Sequence, residues 1–188
     1  MSLPLLQKSI SGFTSVVDRV SDEQWSLPTA CDGWDGRALM SHIVGGCLMS
    51  SAAVRGATRD EAMSIFGRDN LGGDLRAAYA AAIGDHLAAF SEAGALERLC
   101  QHPAGDMPGA VLLNFRIGDF LLHGWDLAHP LGIDYQPDAD VVAHVWASTS
   151  PMAAMLAQSG MFGDGPSGSV GDDAPLFARL LDIMGRRP

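Results

Sequence analysis

Four long segments of this chain carry apolar residues at alternating steps of three and four, a rhythm that leaves little room for anything but helices. In the first, Leu6, Ile10, Phe13, Val17 and Val20 form one stripe over about Leu3 to Val20. The second runs from an N-cap at Asp35 to about Arg55, with Leu39, Ile43, Gly46 and Met49 at helical spacing. The third covers about Asp74 to Ala93, with Leu75, Tyr79, Ile83, Leu87 and Phe90 on its apolar face. The fourth spans Met107 to Leu131, with Pro108 suited to its first turn and Gly132 marking its end. Only Leu99 to Pro108 leaves space for a short extended pair. The pattern predicts an all-α fold: an up-and-down four-helix bundle with short extra helices, read as one domain over residues 1–188.

The shorter pieces fit between these helices. Ser21-Asp22-Glu23 reads as a capped turn, and Leu27 to Trp34 as a loop by its Pro and Gly. Thr58 and Glu61 have capping-box spacing and open a short helix ending near Phe66. Pro137-Asp138 starts a fifth helix reaching about Gln158, which Pro151 should kink or split. Gly160 to Asp172 reads as a loop, and Ala174 to Met184 as a last short helix.

Composition narrows the function classes. Among 188 residues, 22 are acidic and 12 basic, for a formal charge of −10. Phosphate binding needs clustered Lys and Arg to displace counterions, so nucleic acid and anionic membrane surfaces are poor partners. No apolar run approaches the roughly 18 residues of a membrane span, and no signal peptide is visible at the N-terminus. Cys31, Cys47 and Cys100 are odd in number and widely spaced, which suits a reduced, cytoplasmic chain. A homodimer stays open as an assembly.

The fourth helix carries the chemistry. Leu113, Ile117, Phe120, Gly124 and Leu127 make its apolar face; Arg116, Asp119, His123 and Asp126 make a second one. That second face is either the solvated side of the helix, its charges satisfying one another, or a site. Asp119 and His123 are four residues apart, so their side chains lie one above the other, roughly 5–6 Å apart at Cβ. A carboxylate and an imidazole so placed can grip one divalent ion. His42 is the candidate third ligand, because it belongs to an apolar stripe and should point at other helices. Two imidazoles and one carboxylate leave metal positions open, as in catalytic zinc sites, and also suit Fe, Ni, Co or Mn. Arg116 could hold a carboxylate of a bound small molecule, thiol or substrate, but pairing with Asp119 is the better reading. Asp126 could accept from a ligand imidazole or be a surface charge. Trp25, Trp34 and Trp125 read as core packing at helix ends. Cys31, in the loop ahead of the His42 helix, could stand near the site but reads better as a small loop residue packing inward, and His86 reads as a surface or boundary residue. No GxSxG elbow, Walker loop or GxGxxG competes with this reading.

The segments that carry the candidate ligands also carry a resemblance. Trp25-x-x-Pro28-Thr29-x-Cys31-x-Gly33-Trp34, Leu39-x-x-His42-Ile-Val-Gly45-Gly46 and Asp119-Phe-Leu-Leu-His123-Gly-Trp-Asp-Leu-Ala128 resemble the mycothiol-dependent maleylpyruvate isomerase-like family of the DinB/YfiT-like superfamily. The resemblance runs from the first helix to the C-terminus, and the His-Gly-Trp-Asp-Leu-Ala run is its most specific part. It implies a metal-binding helical bundle whose ligands map onto His42, Asp119 and His123. It implies a metal-dependent enzyme that uses a small thiol, mycothiol, to transfer sulfur to, or isomerise, a small electrophile. The isomerases tend to carry Glu where this chain has Asp119, one methylene shorter. A non-catalytic metal-binding or small-ligand sensor module and a metal-dependent hydrolase are the alternatives.

Overall fold

The structure, a computed structural model, describes residues 3–159 and 165–188, so part of the loop expected over Gly160–Asp172 lies outside the described residues. It is mostly helical, as the periodicity predicts. In chain order the helices are α1 (Leu3–Val17), α2 (Gly36–Val54), α3 (Arg59–Phe66), α4 (Leu75–Ser91), α5 (Gly109–Ala128), α6 (Ala139–Thr149), α7 (Ala153–Ser159) and α8 (Leu176–Ile183). The extended pair is real but minimal: β1 (Leu99–Cys100) and β2 (Met107–Pro108) run antiparallel just ahead of α5. No helix among the described residues is long and apolar enough to cross a membrane.

By its contacts the chain, read from sequence as one domain, clusters into two compact units, Met1–Gln136 and Pro137–Pro188. In the first unit α1, α5, α2 and α4 form the bundle, in that order around its axis. Consecutive α1 and α2 are therefore diagonal rather than side by side, and the segment joining them passes over one end of the bundle. In the second unit α6 packs on α8, burying Val141, Val142 and Val145 together with Leu180, Leu181 and Met184. Pro151 splits the expected fifth helix into α6 and α7 through a short 3-10 turn, Ser150–Met152.

Local chemistry sets the helix ends. Asp35 accepts from Ala38 N–H at 2.7 Å and starts α2; such a cap is worth about 1 kcal/mol. Thr58 and Glu61 form the capping box that opens α3. Gly132 takes a left-handed conformation (φ 64°) to finish the turn after α5. Phe13 ties three helices together, its ring 5.8 Å from Tyr79 on α4 and 5.7 Å from Phe120 on α5.

One stripe differs from the expected one. On α4 the buried residues are Leu75, Tyr79, Ala82, His86, Ala89 and Phe90, while Ile83 and Leu87 are only half-buried. The helix is turned by about one residue from Tyr79 onward. Small Ala82 and Ala89 line the interior, and the larger aliphatics cover its edge. His86, read as a surface or boundary residue, is instead fully buried.

Candidate metal centre

The second face of α5 is not a solvated face. Arg116 and Asp126 are buried, His123 is nearly so, and the Asp119 side chain keeps 31% of its exposure. Two neighbours cover this face: α2, which brings His42, and the loop between α1 and α2. That loop is fixed by main-chain bonds. Thr29 N–H donates to Trp34 O at 2.9 Å, and Ala30 N–H donates to Asp126 O on α5 at 2.9 Å.

His42, Asp119 and His123 converge, with one donor atom of each within 4.8 Å of the others. His42 Nε2 lies 3.4 Å from Asp119 Oδ2, and His123 Nε2 lies 3.8 Å from Asp119 Oδ1. The two imidazole rings are 4.9 Å apart at 72°. Ligands held at about 2.0–2.2 Å around one ion stand roughly 3–3.6 Å from one another, so this spacing is close to a coordination shell.

Each side chain is held from behind. The His42 ring lies between Trp34, 5.1 Å away, and Phe66 at the end of α3, 5.7 Å away and perpendicular. Its Nε2 is shielded from solvent yet makes no hydrogen bond. A buried imidazole nitrogen whose polar neighbour is a carboxylate 3.4 Å away, out of hydrogen-bond geometry, has lost water and gained little, which costs free energy unless a cation uses the lone pair. This orphan atom, beside a carboxylate and a second imidazole, is why the residues fit a divalent ion.

His123 is oriented by Asp126. Its Nδ1 donates to Asp126 Oδ2 at 2.8 Å, which leaves the Nε2 lone pair facing His42 and Asp119. Cys31 Sγ donates to the same Asp126 oxygen at 3.2 Å and lies 3.6 Å from His123 Nδ1. Cys31, His123 and Asp126 also come within 4.8 Å of one another. The 2.8 Å between His123 Nδ1 and Asp126 Oδ2 is a hydrogen-bond length, tighter than two ligands of one ion adopt, so this group reads as a support for His123.

Arg116 donates to Asp119 in an ion pair from the preceding turn of α5. Burial alone would raise the Asp119 carboxyl; the Arg116 guanidinium and the two histidines override it and hold the group below the usual carboxylate range. Of the two roles open to Arg116 in the sequence, the structure shows the pairing with Asp119.

Two participants were read differently from the sequence, and a third was not read at all. Trp34 is not core packing: it is half-exposed and forms a wall over both histidines, 6.0 Å from His123 and nearly parallel to it. Cys31 touches the histidine support rather than merely filling a loop. Phe66 gave no signal, since nothing in a short capped helix says that its last residue will meet His42. For Trp34 and Cys31 there was one: both sit in the loop directly ahead of the His42 helix. A separate surface cleft, lined by Trp25, Asp35, Arg37 and Arg76, contains none of the converged residues.

A four-helix bundle with two histidines and an aspartate gathered at one place places this protein among the DinB-like helical bundles. Residues 6–128 match the family model of the mycothiol maleylpyruvate isomerase N-terminal domain, and the chain belongs to that family. A crystal structure of a His-to-Ala mutant of the mycothiol-dependent maleylpyruvate isomerase superposes with a TM-score of 0.63 at 13% identity, covering 90% of this chain and 72% of the other. A second crystal structure of that isomerase gives 0.59 at 15% identity with the same coverage. In sequence, the uncharacterized protein Rv0738 of Mycobacterium tuberculosis strain H37Rv is 28% identical over 173 residues, 90% of this chain and 85% of the relative.

Proposed function

We propose that this protein is a metal-dependent enzyme that uses a small thiol, mycothiol by its family, to transfer sulfur to or isomerise a small electrophile. The observation that carries the reading is the convergence of His42 Nε2, Asp119 and His123 Nε2, with His123 locked by Asp126. His42, Asp119 and His123 would hold the cation, zinc by ligand type, with Ni, Fe, Co or Mn also compatible. When bound, the cation would supply an open position for sulfur and favour the thiolate at neutral pH.

The chain's own residues do the rest. Asp126 keeps the His123 proton on Nδ1. Trp34 and Phe66 flank the His42 ring and hold its orientation. Asp119 supplies the negative charge, and Arg116 holds it in place. Water-attacking chemistry would need a carboxylate or imidazole free to take a proton beside the open position. The carboxylates here are already engaged, Asp119 with Arg116 and Asp126 with His123 and Cys31. This supports thiol chemistry over hydrolysis. A reduced, cytoplasmic setting fits three free cysteines.

Metal analysis of the purified protein, followed by a thiol-conjugation assay with a generic electrophile, tests the proposal. Metal retained by the wild type and conjugation that depends on it are the expected results. Metal binding without any conjugation would leave a binding module in place of an enzyme.

A further inference from the structure

Arg116 is an expensive residue to place where it is. It is 4% exposed, inside the bundle between α5 and α2. Taking a guanidinium out of water is costly unless an anion and hydrogen bonds replace the lost hydration. The anion is Asp119. The other contacts are weak: Nη2 donates to Ile43 O at 3.2 Å and to Cys47 Sγ at 3.7 Å, and Nε makes no hydrogen bond. Room for the group comes from Gly46, one turn after His42 on α2. A Cβ there would meet the guanidinium head-on, with Cζ only 2.9 Å away. Ile43, Gly46 and Cys47 together form a cradle whose effect is to deliver one buried positive charge to Asp119.

That charge changes what the site can bind. A divalent ion held by two neutral imidazoles and one carboxylate carries a single net positive charge. With the Asp119 carboxylate already paired to Arg116, the site keeps the full double charge of the ion. Two consequences follow, with opposite signs. Arg116 competes with the cation for Asp119 and repels it, so it weakens cation binding. It also strengthens the attraction of the open position for an anion, in an interior where charge interactions are poorly screened.

We infer that Arg116, seated by Gly46, is a positioning residue that tunes the centre to take an anionic ligand, a thiolate, at its open position. The inference rests on the metal-centre reading and goes beyond it in naming the residue that sets ligand preference.

The test uses protein loaded with Co²⁺ and titrated at one fixed neutral pH with 2-mercaptoethanol, read by the sulfur-to-metal charge-transfer band, and separately with azide. Arg116→Gln keeps a hydrogen-bonding group and loses the charge. It should bind both ligands at least about tenfold more weakly while binding Co²⁺ as tightly as wild type or more so. Arg116→Lys keeps the charge and should recover most of the thiol affinity. Gly46→Ala, which pushes the guanidinium away without replacing it, should move in the same direction as Arg116→Gln and decides the matter if that variant does not fold. Mere structural damage would loosen Co²⁺ and thiol together, and that result overturns the inference. So does an unchanged thiol affinity in both Arg116→Gln and Gly46→Ala. If wild type binds no Co²⁺, the metal centre itself falls and this inference falls with it.

Discussion

His86 and His42 sit in the same bundle, His86 with both ring nitrogens shielded from water and His42 with its Nε2 shielded, and only His42 has a carboxylate beside that nitrogen. His86 lies in the middle of the core, 4.8 Å from the Phe90 ring and 6.5 Å from Phe120. Neither of its nitrogens has a hydrogen bond of good geometry. Burial, with Arg116 nearby, pushes its pKa from the usual 6.5 down to about 3, and the Cys47 backbone offsets part of that shift. His42 lies where α2 meets α5, with its free Nε2 turned toward Asp119 and His123. One ring is a neutral filler that the fold tolerates. The other is an orphaned donor in a group that a cation would complete. Burial alone does not make a histidine functional; the neighbour on the facing helix does.

The sharpest way to break this contrast is to remove each ring in turn. His42→Ala should abolish the rise in melting temperature produced by added Zn²⁺ or Co²⁺ while leaving the apo protein folded. With metal at a hundredfold above its Kd, the lost stabilisation is about 2.7 kcal/mol. A metal response unchanged in thermal melts would show that His42 is no ligand and erase the distinction.

Next in size is the support behind His123. Asp126→Asn keeps the shape of the buried side chain but no longer stabilises the Nδ1 proton as a carboxylate does. Metal affinity measured by competition with a chromogenic chelator should fall by about 10–100-fold, with the helical circular dichroism unchanged. Full affinity in this variant would mean that Asp126 is only a buried partner for Cys31.

His86→Leu should act in the opposite sense. It removes an unpaired polar ring from an apolar core and should stabilise the protein by about 1–2 kcal/mol in urea melts, with metal affinity untouched. The pH dependence follows from the lowered pKa. Between about 6.5 and 3 the unfolded chain protonates His86 and the folded protein does not, so the His86 contribution to stability is most favourable above 6.5 and falls as pH drops through that window. The variant should lose that slope between pH 4 and 6.5, above the usual Asp119 value of 3.8. An identical slope would mean that His86 finds a partner that the static contacts do not reveal.

The smallest effect belongs to Cys31. Cys31→Ala removes one of two donors to Asp126 but leaves His123 Nδ1 in place, so metal affinity should change by less than about threefold. A loss as large as that of Asp126→Asn would promote Cys31 from a supporting contact to a ligand.

Much of the bundle was legible because it is local. The caps at Asp35 and Thr58, the stop at Gly132 and the break at Pro151 each depend on a few neighbouring residues and the backbone they permit. The α4 stripe was less legible. From Tyr79 a step of four leads to Ile83 and a step of three to Ala82, and periodicity accepts both. Packing chose the smaller residue, which let helices approach and carried His86 inside. Asp119 and His123 could be paired on sight, since four residues on a helix always share a face. Trp34 and Phe66 around His42 come from separate segments, and no local spacing relates them.

The sequence by itself determined the helices, their ends, and which residues of α5 stand together, because a 3.6-residue period and the capping preferences are short-range properties of the chain. The family could be read there too. Only the tertiary structure decided that the polar face of α5 is buried, that α2 and the preceding loop cover it, that Arg116 is spent on Asp119 through the space left by Gly46, and that His86 has no comparable partner. Those outcomes depend on how helices distant in sequence rotate and approach, and that is settled by competition among many buried contacts rather than by any one stretch of residues.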